Sequence, residues 1–216
     1  MNRRSGFLAV AAAGLGALAL TFPPAGAQDA KPAGAATPAQ TTTAVATFAS
    51  GCFWCTESDF EKVPGVVEAV SGYIGGQTEN PTYRQVSSGG TGHTEAVQLR
   101  YDPAVVSYER LLDVYWHNVD PVDAGGQFCD RGDQYRSGIF VHDEKQRQAA
   151  LESKAALDKS GRLGKPIVTE VVDATTFYPA EDYHQDYAKK NPLRYSYYRN
   201  GCGRDQRLEE IWKSTS

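Results

Sequence analysis

The stretch AVATFASGCFWCTESDFEK, residues 44–62, changes its periodicity in the middle. Ala44 to Ala49 reads as a short apolar strand, Gly51 as a break, and Cys52 to Lys62 as a helix stopped before Pro64. A strand that passes through one glycine into a helix places Cys52 at the positive end of the helix dipole. Unpaired backbone N–H groups there stabilise a thiolate and make it nucleophilic. The alternative for any one cysteine is a buried, inert side chain, its commoner fate. Zinc is a further alternative, because Cys52 and Cys55 have the C-x2-C spacing of half a ligand set. Cys129 and Cys202 lie far apart and form no second pair, so no metal is expected.

Working outward, Val66 to Ile74 reads as a strand ended by Gly75-Gly76, and His93 to Tyr101 as a strand closed by Asp102-Pro103. Leu111, Leu112, Tyr115, Trp116 and Val119 form one apolar stripe of a helix opened by Ser107. Ser137 to His142 is a predicted strand, Glu144 to Ser160 a helix, Ile167 to Asp173 a strand and Glu181 to Lys190 a helix stopped at Asn191-Pro192. A short helix is expected from Asp205 to Lys213. This irregular alternation favours an α/β sandwich on a mixed or antiparallel sheet over a doubly wound parallel one.

The N-terminal region has a different composition. Asn2-Arg3-Arg4, an apolar run from Phe7 to Leu20, and Pro23-Pro24 before Ala25-Gly26-Ala27 are the parts of a cleaved secretory signal, residues 1–27. The run is shorter than the roughly twenty residues that span a bilayer. An exported, soluble protein in a bacterial periplasm is expected, with no stable membrane insertion after cleavage. Residues 28–43 carry no large apolar side chain and read as a flexible linker, leaving residues 44–216 as one catalytic domain. Loss of Arg3 and Arg4 moves the formal charge from −4 to −6, and no basic run suits a phosphate backbone, so nucleic acid is not an expected partner. The only methionine, Met1, leaves with the signal, a composition suited to an oxidising compartment. A domain of about 170 residues does not need its four cysteines as staples, which leaves the thiols available for chemistry.

A second group singles itself out on the strand from His93 to Tyr101. Period-two alternation puts Glu95 on the face of Val97, Leu99 and Tyr101, turned toward the core. Burial raises a carboxyl pKa, so such a group can hold its proton near neutrality and serve as an acid. A redox thiol beside a proton donor suits a substrate whose oxygen leaves as water. Dithiol–disulfide exchange on protein cysteines, the rival reading of C-x2-C, needs only Cys52 and Cys55. His93 shares the Glu95 face but is given no catalytic role.

GCFWCTE (Gly51 to Glu57), SGYIGG (Ser71 to Gly76), PTYRQVSSGGTGHTEAV (Pro81 to Val97), DQYRS (Asp133 to Ser137) and AEDYHQDYAKKNP (Ala180 to Pro192) together resemble the peptide methionine sulfoxide reductases of type A. The resemblance implies a two-layer α/β sandwich of ferredoxin-like topology and reduction of the S epimer of methionine sulfoxide, free or in peptides, without a cofactor. It makes Cys52 the nucleophile, Glu95 the acid, and Phe53 and Trp54 an apolar wall for the substrate methyl group. Tyr135 and Tyr187 would bind the sulfoxide oxygen, with Asp130 and His184 ordering the site. The commonest family form has Gly where Cys55 stands and a small or polar residue in place of Cys129, and its tails carry two cysteines where this chain has Cys202 alone. Cys55, three residues from Cys52 and so at high effective concentration, is expected to resolve the sulfenic acid, with Cys202, flanked by Gly201 and Gly203 in the tail, close behind and Cys129 third. A thioredoxin-like protein is the expected reductant, and the protein is expected to be a monomer.

Overall fold

The structure, a computed structural model, describes residues 42–213; the expected signal and residues 28–41 of the expected linker lie outside the described residues. In chain order the elements are β1 (Ala44–Ser50), α1 (Phe53–Phe60), β2 (Val66–Ile74), α2 (Tyr83–Ser87), β3 (Thr94–Tyr101), α3 (Tyr108–His117), β4 (Gly126–Gln127), β5 (Asp130–Arg131), β6 (Ser137–Val141), α4 (Glu144–Lys159), β7 (Glu170–Asp173), β8 (Tyr178–Pro179), α5 (Tyr187–Lys190), α6 (Pro192–Gly201) and α7 (Arg204–Trp212).

Six strands form one mixed sheet in the order β7-β6-β1-β3-β2-β8. Every neighbouring pair is antiparallel except β6 and β7, which are parallel. One sheet face supplies Ala46, Phe48, Val97, Leu99 and Ile139 to the main core, where they meet Phe53 and Phe60 of α1, Leu111, Leu112 and Tyr115 of α3, and Ala150 of α4. Alternation sends Ala49, Ile74, Ala96 and Phe140 to the other face, covered by Ala174 and Phe177. The helices sit where the apolar stripes predict. Ser107 caps α3 by accepting from the Arg110 N–H at 3.2 Å, and Asp143 caps α4 from Gln146 at 2.8 Å.

Two parts of the C-terminal third differ from expectation. The helix predicted over 181–190 is present only as α5. Asp186 takes a left-handed φ of +53°, and Gln185 pairs with β2 instead: its Oε1 accepts from the Ser71 N–H at 3.0 Å and its Nε2 donates to the Ser71 carbonyl at 2.9 Å. A side-chain amide so placed imitates one residue of an extra strand. The tail around Cys202 is helical on both sides. It is the junction of α6, which sequence reading omits, and α7, turned by Gly203 at φ +69°.

The break between β1 and α1 requires glycine. Gly51 has φ +83°, and a Cβ there would lie 2.5 Å from Gln127 Cβ. Gln127 cannot yield, because its amide accepts from the Asp120 N–H and donates to the Asp120 carbonyl, each at 2.8 Å. Gly51→Ala is expected to lose about 1 to 3 kcal/mol from the strained backbone alone, with the clash in addition. Thermal melting checks this, and an unchanged melting temperature would contradict it.

Candidate active site

The first turn of α1 organises the site. Cys52 is the N-cap (φ −53°, ψ 118°), and its carbonyl accepts from the Cys55 and Thr56 N–H groups at 3.1 and 3.3 Å. The next free N–H, that of Phe53, donates to Glu95 Oε2 at 3.0 Å. The acid on β3 is thus fixed against the residue that follows the thiol. Cys52 is 7% exposed and Cys55 only 1%, so Cys52 is the less enclosed of the two.

Burial pushes the Glu95 carboxyl up to about 8, against the smaller opposing effect of the Phe53 N–H, and the charges of Asp130 and Cys55 add to the rise. The group holds its proton at neutral pH, as an acid must. The two thiols behave differently from a lone cysteine at a helix end. Burial, reinforced by Cys55, pushes Cys52 up, while the hydrogen bond from Cys52 brings Cys55 down to about 7 with help from Arg204 and Arg199. The pair therefore shares its first ionisation near neutrality. Because Cys52 is a cap outside the helix, its sulfur can approach Cys55 without the first turn unwinding, which the spacing of two residues inside a helix would require.

Aromatic groups line the approach. Trp54 stacks on Tyr187 with centroids 3.7 Å apart and planes 5° apart, and its indole N–H donates to His184 Nδ1 at 2.9 Å. Burial lowers the His184 pKa, so the ring stays neutral and free to accept that bond. Phe53 packs on His184 at 4.9 Å and faces Tyr83 at 6.5 Å. Tyr135 is raised by burial and by the charges of Glu95 and Tyr83, and so stays a neutral donor. The loop that carries His184 and Tyr187 is tied down by Gln185 and by Glu181, which accepts from Tyr73 Oη and from the Tyr83 N–H, each at 2.8 Å.

Two residues beyond those expected from sequence join the cluster. Tyr83, within PTYRQV, is raised to about 12 by burial and by Glu95 and Cys52. Tyr198 of α6 donates to Asp130 Oδ2, and burial together with the neighbouring Cys52 keeps its hydroxyl protonated. Its signal in the sequence is faint, one tyrosine among several in YSYYRN. The Tyr187 ring backs Trp54. Asp130 accepts from Tyr198, and His184 accepts from Trp54. His93 is structural: it accepts from the Gly76 N–H at Nδ1, 3.1 Å, and lies 2.8 Å from the Thr78 carbonyl through Nε2.

Cys52 and Cys55 are free thiols, whereas Cys129 and Cys202 are joined in a disulfide. The cysteines placed second and third in the expected order of resolution are thus bonded to each other, and Cys55 alone stands beside Cys52 as a thiol.

A strand–glycine–helix turn with a thiol at the helix cap, a buried protonated carboxyl and a second thiol defines a thiol oxidoreductase on an α/β sandwich. The family model described as peptide methionine sulfoxide reductase matches residues 44–216. A relative from Listeria innocua, peptide methionine sulfoxide reductase MsrA, is 58% identical over 168 residues, 78% of this chain and 95% of its own. One from Bacillus licheniformis is 55% identical over 168 residues, 78% and 93%. Among solved structures, methionine sulfoxide reductase A of Corynebacterium diphtheriae superposes with a TM-score of 0.64 at 37% identity, covering 72% of this chain and 78% of that one. Reduced Mxr1 of Saccharomyces cerevisiae gives 0.66 at 32%, covering 69% and 86%. The chain belongs to the peptide methionine sulfoxide reductase family, and it is an oxidoreductase that reduces methionine sulfoxide with thiols.

Glu95 gives a pH prediction. Its proton, held in the fold above the ordinary value of 4.5, supports stability fully below that value, and the contribution is lost as pH rises through about 8. Activity should fall over the same alkaline limb. Glu95→Gln should remove the limb while slowing reduction by about 10² to 10⁴. Single-turnover rates from pH 6 to 10 check both, and a wild-type rate in the variant would make Glu95 merely structural.

Proposed function

We propose that Cys52 attacks the sulfur of an S-configured methionine sulfoxide, free or in an oxidised protein, while Glu95 gives its proton to the oxygen. The electron pair passes from the cysteine sulfur to the substrate, methionine departs, and the oxygen remains on Cys52 as a sulfenic acid. Cys55 then displaces that oxygen as water, forming the Cys52–Cys55 disulfide. Phe53 and Trp54 hold the methyl group, for which apolar aromatic area is suited because the group makes no hydrogen bonds. Tyr135 and Tyr83, both kept neutral, would donate to the oxygen. The observation that carries the reading is the single hydrogen bond between Glu95 and the Phe53 N–H. It fixes a protonated acid against the residue that follows Cys52, the less enclosed of the two free thiols.

A thioredoxin-type dithiol is the fitting source of electrons, because the stored product is a protein disulfide. The basic, apolar and small-residue pattern of residues 1–27 supports export to a periplasm, where the enzyme would repair oxidised proteins.

With both epimers of N-acetyl-methionine sulfoxide and a dithiol reductant, chromatography should show loss of the S epimer only. Cys52→Ser should turn over neither, and trapping with a sulfenic-acid reagent should label Cys52 in Cys55→Ser. Sustained reduction by Cys52→Ser would overturn the assignment.

A further inference from the structure

We propose that the reduced protein binds one zinc ion between the sulfurs of Cys129 and Cys202 and the carboxylate of Asp130, and that closing the Cys129–Cys202 disulfide abolishes the site. Binding of this kind is independent of the reaction assigned to Cys52.

Read along the chain, Cys129 and Cys202 form no ligand pair; the fold makes one. Gln127 and Asp130 are paired across the β4–β5 hairpin, so Phe128 and Cys129 are its two turn residues. Phe128 takes a left-handed φ of +55°, unusual for a bulky side chain, and the Arg204 guanidinium lies 4.5 Å from its ring centroid. Neighbouring side chains of a regular strand point to opposite faces. At this turn they converge, and Cys129 Sγ lies 3.8 Å from Asp130 Oδ1. Cys202, the C-cap of α6, arrives from the far end of the chain and puts its sulfur 4.0 Å from Asp130 Oδ2. Among the described residues this is the one group of three possible metal ligands whose atoms all lie within 4.8 Å of one another. A tetrahedral zinc with bonds of about 2.3 Å to sulfur and about 2.0 Å to oxygen holds sulfur and oxygen roughly 3.5 Å apart, so both carboxylate distances already fit to within about half an ångström. The two sulfurs must part to about 3.8 Å, which breaking their bond permits.

The ligands stay neighbours without that bond. Arg204 is buried, donates to the Ser50 carbonyl at 3.0 Å and the Asn118 carbonyl at 2.6 Å, and through its place over Phe128 joins the hairpin to the start of α7. Arg207 pairs with Asp120 at 2.7 Å, and Arg199 grips Asp59 of α1 through both carboxylate oxygens at 2.9 Å. The groups behind the ligands are also those a zinc site uses. Tyr198 donates to Asp130 Oδ2 and so orients the carboxylate, and the Cys129 N–H donates to Cys202 Sγ at 3.1 Å, a bond that favours a thiolate.

Charge selects a divalent ion. Two thiolates and one carboxylate carry three negative charges, and the Arg204 guanidinium, whose field reaches Asp130, offsets one of them. Two remain for the metal to neutralise. Thiolate sulfur selects zinc over magnesium and calcium, whose ligands are oxygens. Three protein ligands leave the fourth position to water, and the groove lined by Cys129, Tyr198 and Cys202 opens it to solvent, because Cys129 is exposed. Such a site loads and unloads, unlike a closed structural one.

A dithiol reductant opens the site: it gives two electrons and two protons to the Cys129–Cys202 bond and itself becomes a disulfide. Zinc then replaces the two thiol protons, which pass to solvent. Once loaded, the ion withholds both thiols from oxidants and holds Asp130, and with it Tyr198.

Reduced protein, freed of reductant under nitrogen, should take one zinc per chain from a chromophoric chelator. Cobalt(II) in its place should show a thiolate charge-transfer band and tetrahedral ligand-field bands. The same chain with its outer disulfide intact should bind zinc more weakly by about a hundredfold. Cys129→Ser and Cys202→Ser should each weaken binding to the reduced chain by about a hundredfold and Asp130→Asn by about tenfold, whereas Cys52→Ser/Cys55→Ser should bind as wild type does. Zinc should also slow closure of Cys129–Cys202 by diamide, and chelation should restore the rate. No uptake by the reduced chain, equal uptake by the disulfide form, or uptake that follows Cys52 and Cys55 instead would overturn the site. The two redox forms share one unaltered sequence, so their comparison decides even where a variant does not fold, and each of these outcomes leaves sulfoxide reduction at Cys52 untouched.

Discussion

The hydrogen bond from the Phe53 N–H to Glu95 couples the first turn of α1 to a central strand of the sheet, and the geometry of the site depends on it. A helix start leaves N–H groups without partners, and a buried carboxyl needs at least one donor; here each need is met by the other. The bond is too weak an influence to strip the proton from Glu95, because burial opposes it more strongly. The result is an acid that is held in place yet keeps its proton. Gly51 makes this possible from the other side, since only a residue without a side chain lets the chain turn against Gln127.

The thiols show how an arrangement can replace a single-residue effect. A helix dipole favours a thiolate at Cys52, but burial within an aromatic shell opposes it, and the neighbouring sulfur decides the balance. Sharing one proton between two sulfurs makes a thiolate available near neutral pH inside a buried site, and in the mechanism proposed above it would already hold Cys55 beside Cys52 when the sulfenic acid forms.

Much of this was legible in the sequence because it was written in local patterns. The strand–glycine–helix change at residues 44–62, the alternation that turns Glu95 inward, and the stripe of α3 each follow from spacing alone. What escaped depended on contacts distant in the chain. Tyr198 and Tyr83 are ordinary tyrosines until the fold brings α6 and α2 to Cys52. α6 itself was hidden by its polar, tyrosine-rich composition, which gives no apolar period because its inner stripe pairs through Arg199 and Tyr198 rather than through aliphatic packing. The bond between Cys129 and Cys202, 73 residues apart, has no local signature at all.

The segment that carries His184 and Tyr187 also closes the sheet. β2 would otherwise present a free edge, a row of unpaired backbone groups open to another chain. β8 pairs with it at Gly72 and Tyr73, and the Gln185 amide occupies both groups of Ser71. Farther along, the irregularity between Val66 and Glu68 and the Glu68–Arg100 ion pair blunt what remains. The segment that stacks on Trp54 is therefore also a guard against edge-to-edge self-association, so damage that freed this loop would open a pairing edge along with the aromatic cluster.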